Sequence, residues 1–323
     1  MSRHKSSHAR IALIVLTIIV LGFFLGVMIY HLVQAHSGQS TVDDPTDPNT
    51  SSPTESTPSP EQTPVATFIK IQPLVDEWLQ TTNRQFGLLI YDLDFERVAA
   101  SYNASQVFNV ASIYKLFYVY DGYRQIASGA ENLDDYFVTT TDYRAGRHTI
   151  GECLDLAVRE SYNGCADPLR SDAARSARVN QFIRELGLTE TYNLGLSSTA
   201  NDLTQLLRLY YYHTDLPAEL WQLLADSMLN QPLTAVAPGV EYDWRQGLPS
   251  GFSSQVDVYD KVGWAWNGQN WTVYADAAIV DFPDLHRHYT VVVLTSGFDS
   301  YTPITNLGTL IEAAVRDSSE LNP

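Results

Sequence analysis

Apolar residues recur at helical spacing in the segment after Val110. The same segment carries two polar residues that could take part in chemistry, Ser112 and Lys115. Five of the apolar residues lie on one side of a helix that begins at about Ala111: Ile113, Leu116, Phe117, Tyr120 and Tyr123. Such a stripe predicts a helix buried on that side. Ser112 then lies in or beside the first turn, where backbone N–H groups lack partners and the helix dipole is positive.

Runs typical of strands occur at both ends of the region that looks folded. The early strands are Phe86–Asp92 and Val98–Tyr102, joined by a tight turn at Asp94–Glu96, and the late ones are Val256–Val262, Trp271–Val280 and Tyr289–Leu294. Helical spacing predicts the remaining elements, with a break at Ser161–Gly164: Ile69–Leu79, Ile150–Arg159, Ala174–Leu186, Thr199–His213 capped by Ser198, a helix from Pro217 through Leu229, and Pro303–Val315. The order predicts an α+β fold. An antiparallel sheet from the N- and C-terminal strands is flanked by helices, with an inserted all-helical subdomain and a cleft between the two halves.

The first part of the chain has a different pattern. Ile11–Val33 is a run of 23 residues without a charge, which is long enough to span a bilayer. Arg3, Lys5 and Arg10 precede the run and no further Lys or Arg follows before Lys70. The positive-inside rule therefore places the N-terminus in the cytoplasm and the folded region outside the cell. A cleaved signal peptide is the alternative, although the apolar run is longer than such peptides usually have.

Residues 37–64 form a third kind of segment, in which 18 of the 28 residues are Ser, Thr or Pro. A segment with so few apolar residues cannot bury enough surface to fold. The sequence therefore predicts a cytoplasmic tail over 1–10, a transmembrane anchor over 11–33, a disordered linker over 34–65 and one folded domain over 66–323.

Charge and metal-binding patterns exclude several functions. The net charge is −17, and no basic stripe with interleaved aromatic residues occurs, so nucleic acid is excluded as a partner. The sequence has neither an HExxH motif nor the Cys and His spacing typical of zinc sites. It therefore predicts no metal and no cofactor.

Ser112 and Lys115 are three residues apart, which places them on one face of the predicted helix. An amine in an apolar pocket has a lowered pKa and can take a serine proton, so the pair is a candidate activated nucleophile. The same spacing occurs at Ser2 and Lys5, so the motif alone is weak. A capping serine beside a lysine whose stem lies along apolar surface is the structural alternative.

Two further motifs fall where the cleft is expected. Ser161–Asn163 (SYN) lies at the break between helices, and Lys261–Gly263 (KVG) lies on the first late strand. Taken singly, each motif also has a purely structural interpretation: a helix-capping turn for Ser161 and an exposed strand lysine for Lys261. Cys153 and Cys165 flank the first motif. They form a disulfide if the domain is exported, or else two small buried side chains, and the sequence leaves this open.

The three motifs occur in an order that resembles the class A β-lactamase and penicillin-binding-protein superfamily: Ser-x-x-Lys at a helix start, Ser-x-Asn in a helical loop, and Lys-x-Gly on a strand. The resemblance extends over most of Phe68–Val315. It implies a serine hydrolase that forms an acyl-enzyme with a β-lactam or a peptidoglycan-type amide.

The resemblance also implies a role for each residue. Ser112 would attack the carbonyl with Lys115 as its base. Ser161 would pass a proton to the leaving nitrogen, and Lys261 would attract a substrate carboxylate. The substrate-binding positions would be Asn163 for the amide, Gly263, and Trp264, whose backbone N–H would join that of Ser112 in the oxyanion hole.

Two departures from the family's pattern argue against fast penicillin hydrolysis. The hydrolytic branch carries a glutamate in a loop before the helix at Thr199, whereas Leu186–Ser198 is short here and Glu190 is its only acid. Val262 stands where the family has a hydroxyl residue, and losing a hydrogen bond to a charged group costs about 1.5–3 kcal/mol. A second functional hypothesis therefore stays open, in which the chain is a catalytically weak peptide- or peptidoglycan-binding module of the cell envelope that keeps the fold.

Overall fold

The computed structural model describes residues 68–82, 85–139, 146–192, 196–212, 215–229, 235–237, 240–242, 247–266, 271–296 and 300–320. The chain divides into two units, Met1–Glu61 and Gln62–Pro323, and every described residue lies in the second. The predicted anchor at Ile11–Val33 and the predicted linker lie outside the described residues. Within the described ranges, no helix has both the length and the apolar composition needed to cross a bilayer.

Strands from both ends of the domain form one antiparallel sheet. The strands are β1 Gln85–Asp92, β2 Arg97–Tyr102, β3 Phe108–Asn109, β4 Tyr136–Thr139, β5 Gly146–Thr149, β6 Ser197–Ser198, β7 Ala235–Ala237, β8 Val240–Tyr242, β9 Asp257–Trp266, β10 Trp271–Phe282 and β11 Arg287–Ser296. The five-stranded sheet has the order β2-β1-β11-β10-β9, and three two-stranded pairs join β3 to β6, β4 to β5 and β7 to β8. Leu89 lies opposite Val292 where β1 meets β11, so the first and last strands are neighbours, as predicted.

Helices precede, separate and follow these strands. They are α1 Gln72–Gln80, α2 Lys115–Ala127, α3 Ile150–Arg159, α4 Asn163–Ser171, α5 Ala173–Glu185, α6 Ala200–Tyr212, α7 Ala218–Leu229 and α8 Thr302–Glu320, with 3₁₀ turns at Ala111–Tyr114 and Pro249–Gly251. The bounds of α3 agree with the sequence prediction.

Each face of the sheet packs against a layer of helices, because successive side chains of a strand point to opposite faces. Along β1, Leu89 belongs to a core that includes residues of α2, α6 and α7. Leu88 and Ile90 belong to a second core, formed with residues of α1 and α8. The α+β prediction with an antiparallel sheet is confirmed. The inserted part is not all-helical as predicted, because β4 and β5 form a two-stranded pair within it.

Two predicted helix starts were wrong. Helix α1 begins at Gln72 instead of Ile69, because Pro73 lacks an N–H and is tolerated only in the first turn. The residue that caps α6 is Thr199, whose Oγ1 accepts the backbone N–H of Asp202 at 3.1 Å. Ser198 instead lies in β6, opposite Phe108.

The break predicted at Ser161–Gly164 is shorter than expected. Helix α4 begins at Asn163 and continues through Pro168 to Ser171, so the second half of the predicted break is helical. Asn, Gly and Pro all disfavour a helix interior, which is why the sequence pattern hid this element. Only 160–162 separate α3 from α4.

His288 links the turn after β1 to β10 at one end of the sheet, and its titration should make stability depend on pH. Its Nδ1 lies 2.8 Å from Asp94 Oδ1 and its Nε2 lies 3.3 Å from Asp281 Oδ1. The hydrogen bond to Asp94 raises the pKa of His288, although burial opposes this. The stabilisation is therefore complete below the unfolded pKa, about 6.5, and is lost as pH rises through the higher folded pKa.

We expect His288→Gln to remove this part of the pH dependence. The variant should lose up to about 1 kcal/mol of unfolding free energy at pH 6, a value typical of half-exposed ion pairs, and much less at pH 9. Urea unfolding of both proteins at the two pH values measures this. An equal loss at both would show that the charge of His288 contributes nothing.

Candidate active site

Ser112 lies in a tight turn that precedes α2. The turn Ala111–Tyr114 is a 3₁₀ helix, and its first residue has a φ of +43°. Asn109 Oδ1 accepts a hydrogen bond from the backbone N–H of Ala111 at 2.8 Å. This bond holds Ala111 at a positive φ, a backbone conformation that non-glycine residues rarely adopt. Side chains three residues apart are eclipsed in a 3₁₀ helix. Ser112, which is half-buried, therefore projects from the same side of the turn as Lys115.

Lys115 is fully buried, and its amine has three oxygen partners in one loop. Nζ lies 2.6 Å from the backbone oxygen of Ser161, 3.0 Å from Ser161 Oγ and 2.7 Å from Asn163 Oδ1. The carbonyl and amide oxygens only accept hydrogen bonds. A neutral amine can donate to both and still direct its lone pair toward the Ser161 hydroxyl.

The environment favours the neutral form of this amine. Burial is the largest cause that lowers the pKa of Lys115 well below 10.5, and the positive charge of Lys261 adds to it. Asp167 opposes this shift, whereas Arg170 adds to it. A neutral amine beside a hydroxyl is the arrangement that a general base requires.

The structure brings Lys115 together with Ser161 and Asn163 rather than with Ser112. Among the described residues, the Ser112 hydroxyl is not one of the hydrogen-bond partners of the Lys115 amine. The predicted base and nucleophile therefore share a side of the turn without a direct bond. Catalytic hydrogen bonds are often formed only once substrate binds, so the prediction for Lys115 stands as a prediction.

Ser161 and Asn163 lie in a loop with unusual backbone geometry. Ser161 has a φ of +52°, which a residue with a Cβ adopts only when its surroundings hold it there. A disulfide joins Cys153 on α3 to Cys165 on α4 and so closes this loop. Asn163 is exposed, and its position at the start of α4 directs Oδ1 to the amine.

Lys261 and Gly263 lie on one face of β9, which is an edge strand of the sheet. A Cβ on Gly263 would lie 2.4 Å from the backbone oxygen of Val110 and 3.2 Å from Ile113 Cγ1. The strand therefore packs closely against the turn that carries Ser112. Lys261 is fully buried, and its Nζ donates to the backbone oxygen of Val262 at 3.0 Å.

Two carboxyl groups near Lys261 were not anticipated from the sequence. Burial lowers the pKa of Lys261 to about 8, against the opposing charges of Asp260 and Asp276. Burial also raises the pKa of Asp276 to about 7 and raises that of Asp260. The signal was present as an aspartate inside each of two predicted strands: Asp260 in YDKVG and Asp276 in the apolar run YADAAIV.

Comparisons with known proteins identify the family of the chain. The sequence model of the beta-lactamase enzyme family matches residues 70–317, which include every residue of the candidate site. The chain belongs to the beta-lactamase enzyme family. A comparison with curated proteins found no match.

Solved structures of beta-lactamases share the fold at low sequence identity. A beta-lactamase from Chitinophaga pinensis DSM 2588 is 19% identical, with a TM-score of 0.63, over 76% of this chain and 98% of its own. An ancestral class A beta-lactamase is also 19% identical, with a TM-score of 0.64, over 76% and 99%. A mutant of PBP-A, solved as an acyl-enzyme complex with penicillin G, is 18% identical, with a TM-score of 0.62, over 76% and 95%. At this identity the likeness shows the fold alone.

The structure explains one departure from the sequence pattern of beta-lactamases and locates the other. Val262 is buried in the second core, on the face of β9 opposite to Gly263, so packing accounts for its apolar side chain. The backbone N–H of Glu190 donates to Asp202 Oδ2 at 3.1 Å while its side chain is exposed. Trp264 is partly buried against the second core and contributes its backbone to β9.

We expect Gly263→Ala to disturb the serine turn of this beta-lactamase-like domain. The new methyl group would overlap the Val110 carbonyl, and overpacking typically costs about 1–3 kcal/mol. Because Val110 precedes the strained residue Ala111, displacement of the turn should slow any covalent labelling of Ser112 by penicillin as well as destabilise the fold. Urea unfolding and labelling rates test this, with Gly129→Ala as the control, since a Cβ there meets nothing within 4 Å.

A native labelling rate in Gly263→Ala would show that the turn adjusts without cost. Gly129 has a φ of +74°, so its alanine variant carries backbone strain of its own. It therefore controls for a loss of stability far from the turn.

Proposed function

We propose that this chain is a serine hydrolase that forms an acyl-enzyme on Ser112 with a β-lactam or a peptidoglycan-type amide. The observation that carries the proposal is the Lys115 amine, which contacts the Ser161 loop and whose burial favours its neutral form. The order of the three motifs and the family membership support the same chemistry. The PBP-A mutant captured as an acyl-enzyme with penicillin G has a similar fold.

The proposed reaction is an acyl transfer with one proton relay. Ser112 Oγ bonds to the carbonyl carbon while its proton passes to the neutral Lys115 amine. The carbon–nitrogen bond then breaks, and Ser161 Oγ delivers a proton to the leaving nitrogen as it takes one from Lys115. The positive charge of Lys261, which also acts on the Lys115 amine, would attract a substrate carboxylate and favour the anionic intermediate.

Hydrolysis of the acyl-enzyme is proposed to be slow. An activating base must reach the attacking water, directly or through one water molecule. The side chain of Glu190 is exposed, and its backbone is held by Asp202 beside α6. A long-lived adduct is therefore the expected product with penicillin.

The test is covalent labelling of the full-length protein by a fluorescent penicillin, followed by intact-mass measurement and peptide mapping. The expected result is one adduct per chain, located on Ser112 and absent from Ser112→Ala. Ser105→Ala is the matched control, because Ser105 is an exposed hydroxyl bonded to Asn201. No adduct at any penicillin concentration, together with no Ser112-dependent cleavage of a peptidoglycan peptide, would overturn the proposal and favour the peptidoglycan-binding module.

We further propose that Ile11–Val33 anchors the protein in the cell membrane with the folded domain outside. The apolar run, the preceding positive charges and the disulfide support this, because disulfides persist in oxidising compartments. Protease added to intact cells should remove the domain and leave the tail protected. Release of the domain into the medium at a site near residue 33 would favour a cleaved signal peptide.

A further inference from the structure

The Cys153–Cys165 disulfide closes the loop that holds Lys115. Cys153 lies on α3, Cys165 lies on α4, and both are almost fully buried. Between them the chain reverses direction through 160–162. With Tyr162 the two cysteines form a small cluster of their own, separate from the two cores that flank the sheet. The loop therefore packs apart from those cores, although the helices on either side of it contribute Val158 and Ala166 to the first core.

Local contacts leave the loop little freedom. Tyr162 donates its backbone N–H to the oxygen of Leu156 at 3.0 Å, which folds the chain back onto α3. A Cβ on Gly164 would lie 2.3 Å from the Tyr162 ring, so the ring packs directly on the first turn of α4. Ser161 is held at a φ of +52° between these contacts. This conformation lets both its carbonyl and its hydroxyl face the same amine.

We infer that the Cys153–Cys165 disulfide is a positioning cross-link for the active site, which keeps the oxygens of Ser161 and Asn163 around the Lys115 amine. The two cysteines do not contact the amine, so they act through the loop. The catalytic consequence rests on the proposed function, whereas the effect on Lys115 itself does not. A displacement of about 1 Å in a catalytic group can cost on the order of 10²-fold in rate.

Loss of the cross-link should raise the pKa of Lys115. Burial is the largest cause that lowers the pKa of Lys115, so water entering a loosened loop should raise that pKa. The other charges that act on the amine come from β9 and α4: Lys261, Asp167 and Arg170. Asp167 and Arg170 lie on the same helix as Cys165, so their displacement is part of the loss of the cross-link, and their effects on the pKa of Lys115 oppose each other.

The first experiment compares three full-length proteins: native, Cys153→Ala/Cys165→Ala, and Val158→Ala. Val158 is buried in the first core on α3, so its variant weakens the same helix and keeps the disulfide. We expect the disulfide-free variant to label with fluorescent penicillin on the order of 10²-fold more slowly. The pH midpoint of its labelling rate should move upward, with no such shift in Val158→Ala. Native labelling and an unchanged midpoint would overturn the inference, as would an equal loss in Val158→Ala at matched thermal stability.

The second experiment needs no substrate. The chain has four lysines, Lys5, Lys70, Lys115 and Lys261, so ¹³Cε-lysine labelling gives few NMR signals. Lys115→Arg assigns the relevant one. An upward shift of its titration in the disulfide-free protein supports the inference even if Ser112 of the native protein reacts with neither penicillin nor a peptidoglycan peptide, a result that would refute the proposed function alone. An unchanged titration overturns the inference.

If the double variant fails to fold, chemical reduction of the native protein removes the disulfide without any substitution. A dithiol passes two electrons and two protons to the disulfide and leaves two thiols. The Lys115 signal should then move as in the variant and return on reoxidation. A reduced protein with the native Lys115 titration would overturn the inference.

Discussion

Lys115→Met should reduce the rate of penicillin labelling by about 10²–10⁴-fold, the typical contribution of a general base. Methionine keeps the length and apolar stem of a fully buried side chain and removes only the amine. Ser161 is half-buried and Asn163 is exposed, so water can satisfy the oxygens that lose their donor. The fold should therefore survive, which separates loss of chemistry from loss of structure.

The dependence of the labelling rate on pH tests directly whether the Lys115 amine is the base. Because the pKa of Lys115 is lowered well below 10.5, the labelling rate of the native protein should rise with pH and level off once the amine is neutral. Lys115→Met should lack that rise. Lys70→Met, at an exposed lysine, is the matched control and should keep the native profile. Labelling by Lys115→Met within about twofold of the native rate would exclude the amine as the base.

The elements and their order could be predicted from the sequence because apolar periodicity records which side of each element is buried. The stripe from Ile113 to Tyr123 lies in the first core, and the strand run Tyr289–Leu294 lies at the centre of β11. Helix starts were less predictable. Pro73 fixes the start of α1 because it lacks a backbone N–H, and Thr199 fixes the start of α6 because its hydroxyl accepts a backbone N–H. The periodicity of the apolar residues records neither effect.

The partners of Lys115 could not be predicted for a related reason. Spacing places Ser112 and Lys115 on one side of a turn, but the bonds of the amine depend on the backbone of Ser161, 46 residues away. Its φ of +52° has no sequence signature, because serine is not enriched in that region as glycine is. The buried carboxyls of Asp260 and Asp276 had a visible signal, an acid in a predicted strand, whose meaning needs the strand pairing.

Arg287→Met should destabilise the domain by about 3–5 kcal/mol, which corresponds to a fall in Tm of roughly 6–20 °C. Arg287 Nη2 lies 2.6 Å from Asp92 Oδ2 and 2.7 Å from the Tyr289 hydroxyl. Asp92 is fully buried and also accepts the backbone N–H groups of Asp94 and Phe95, which form the turn after β1. Removing the guanidinium leaves a buried carboxylate without its compensating charge.

The same variant should recover in acid, which distinguishes this mechanism from lost packing. Burial raises the pKa of Asp92 above 3.8 even though its hydrogen bonds and Arg287 oppose the shift, and loss of Arg287 should raise it further. The penalty for the charge appears as pH rises from the unfolded pKa through the folded one. The deficit relative to the native protein should therefore be largest at neutral pH and small near pH 4. Arg316→Met, which removes partly exposed ion pairs with Asp284 and Glu312, is the control and should cost no more than about 1 kcal/mol. Urea unfolding at both pH values measures this difference in the free energy of unfolding. A difference that does not change with pH would show that the variant is destabilised by lost packing.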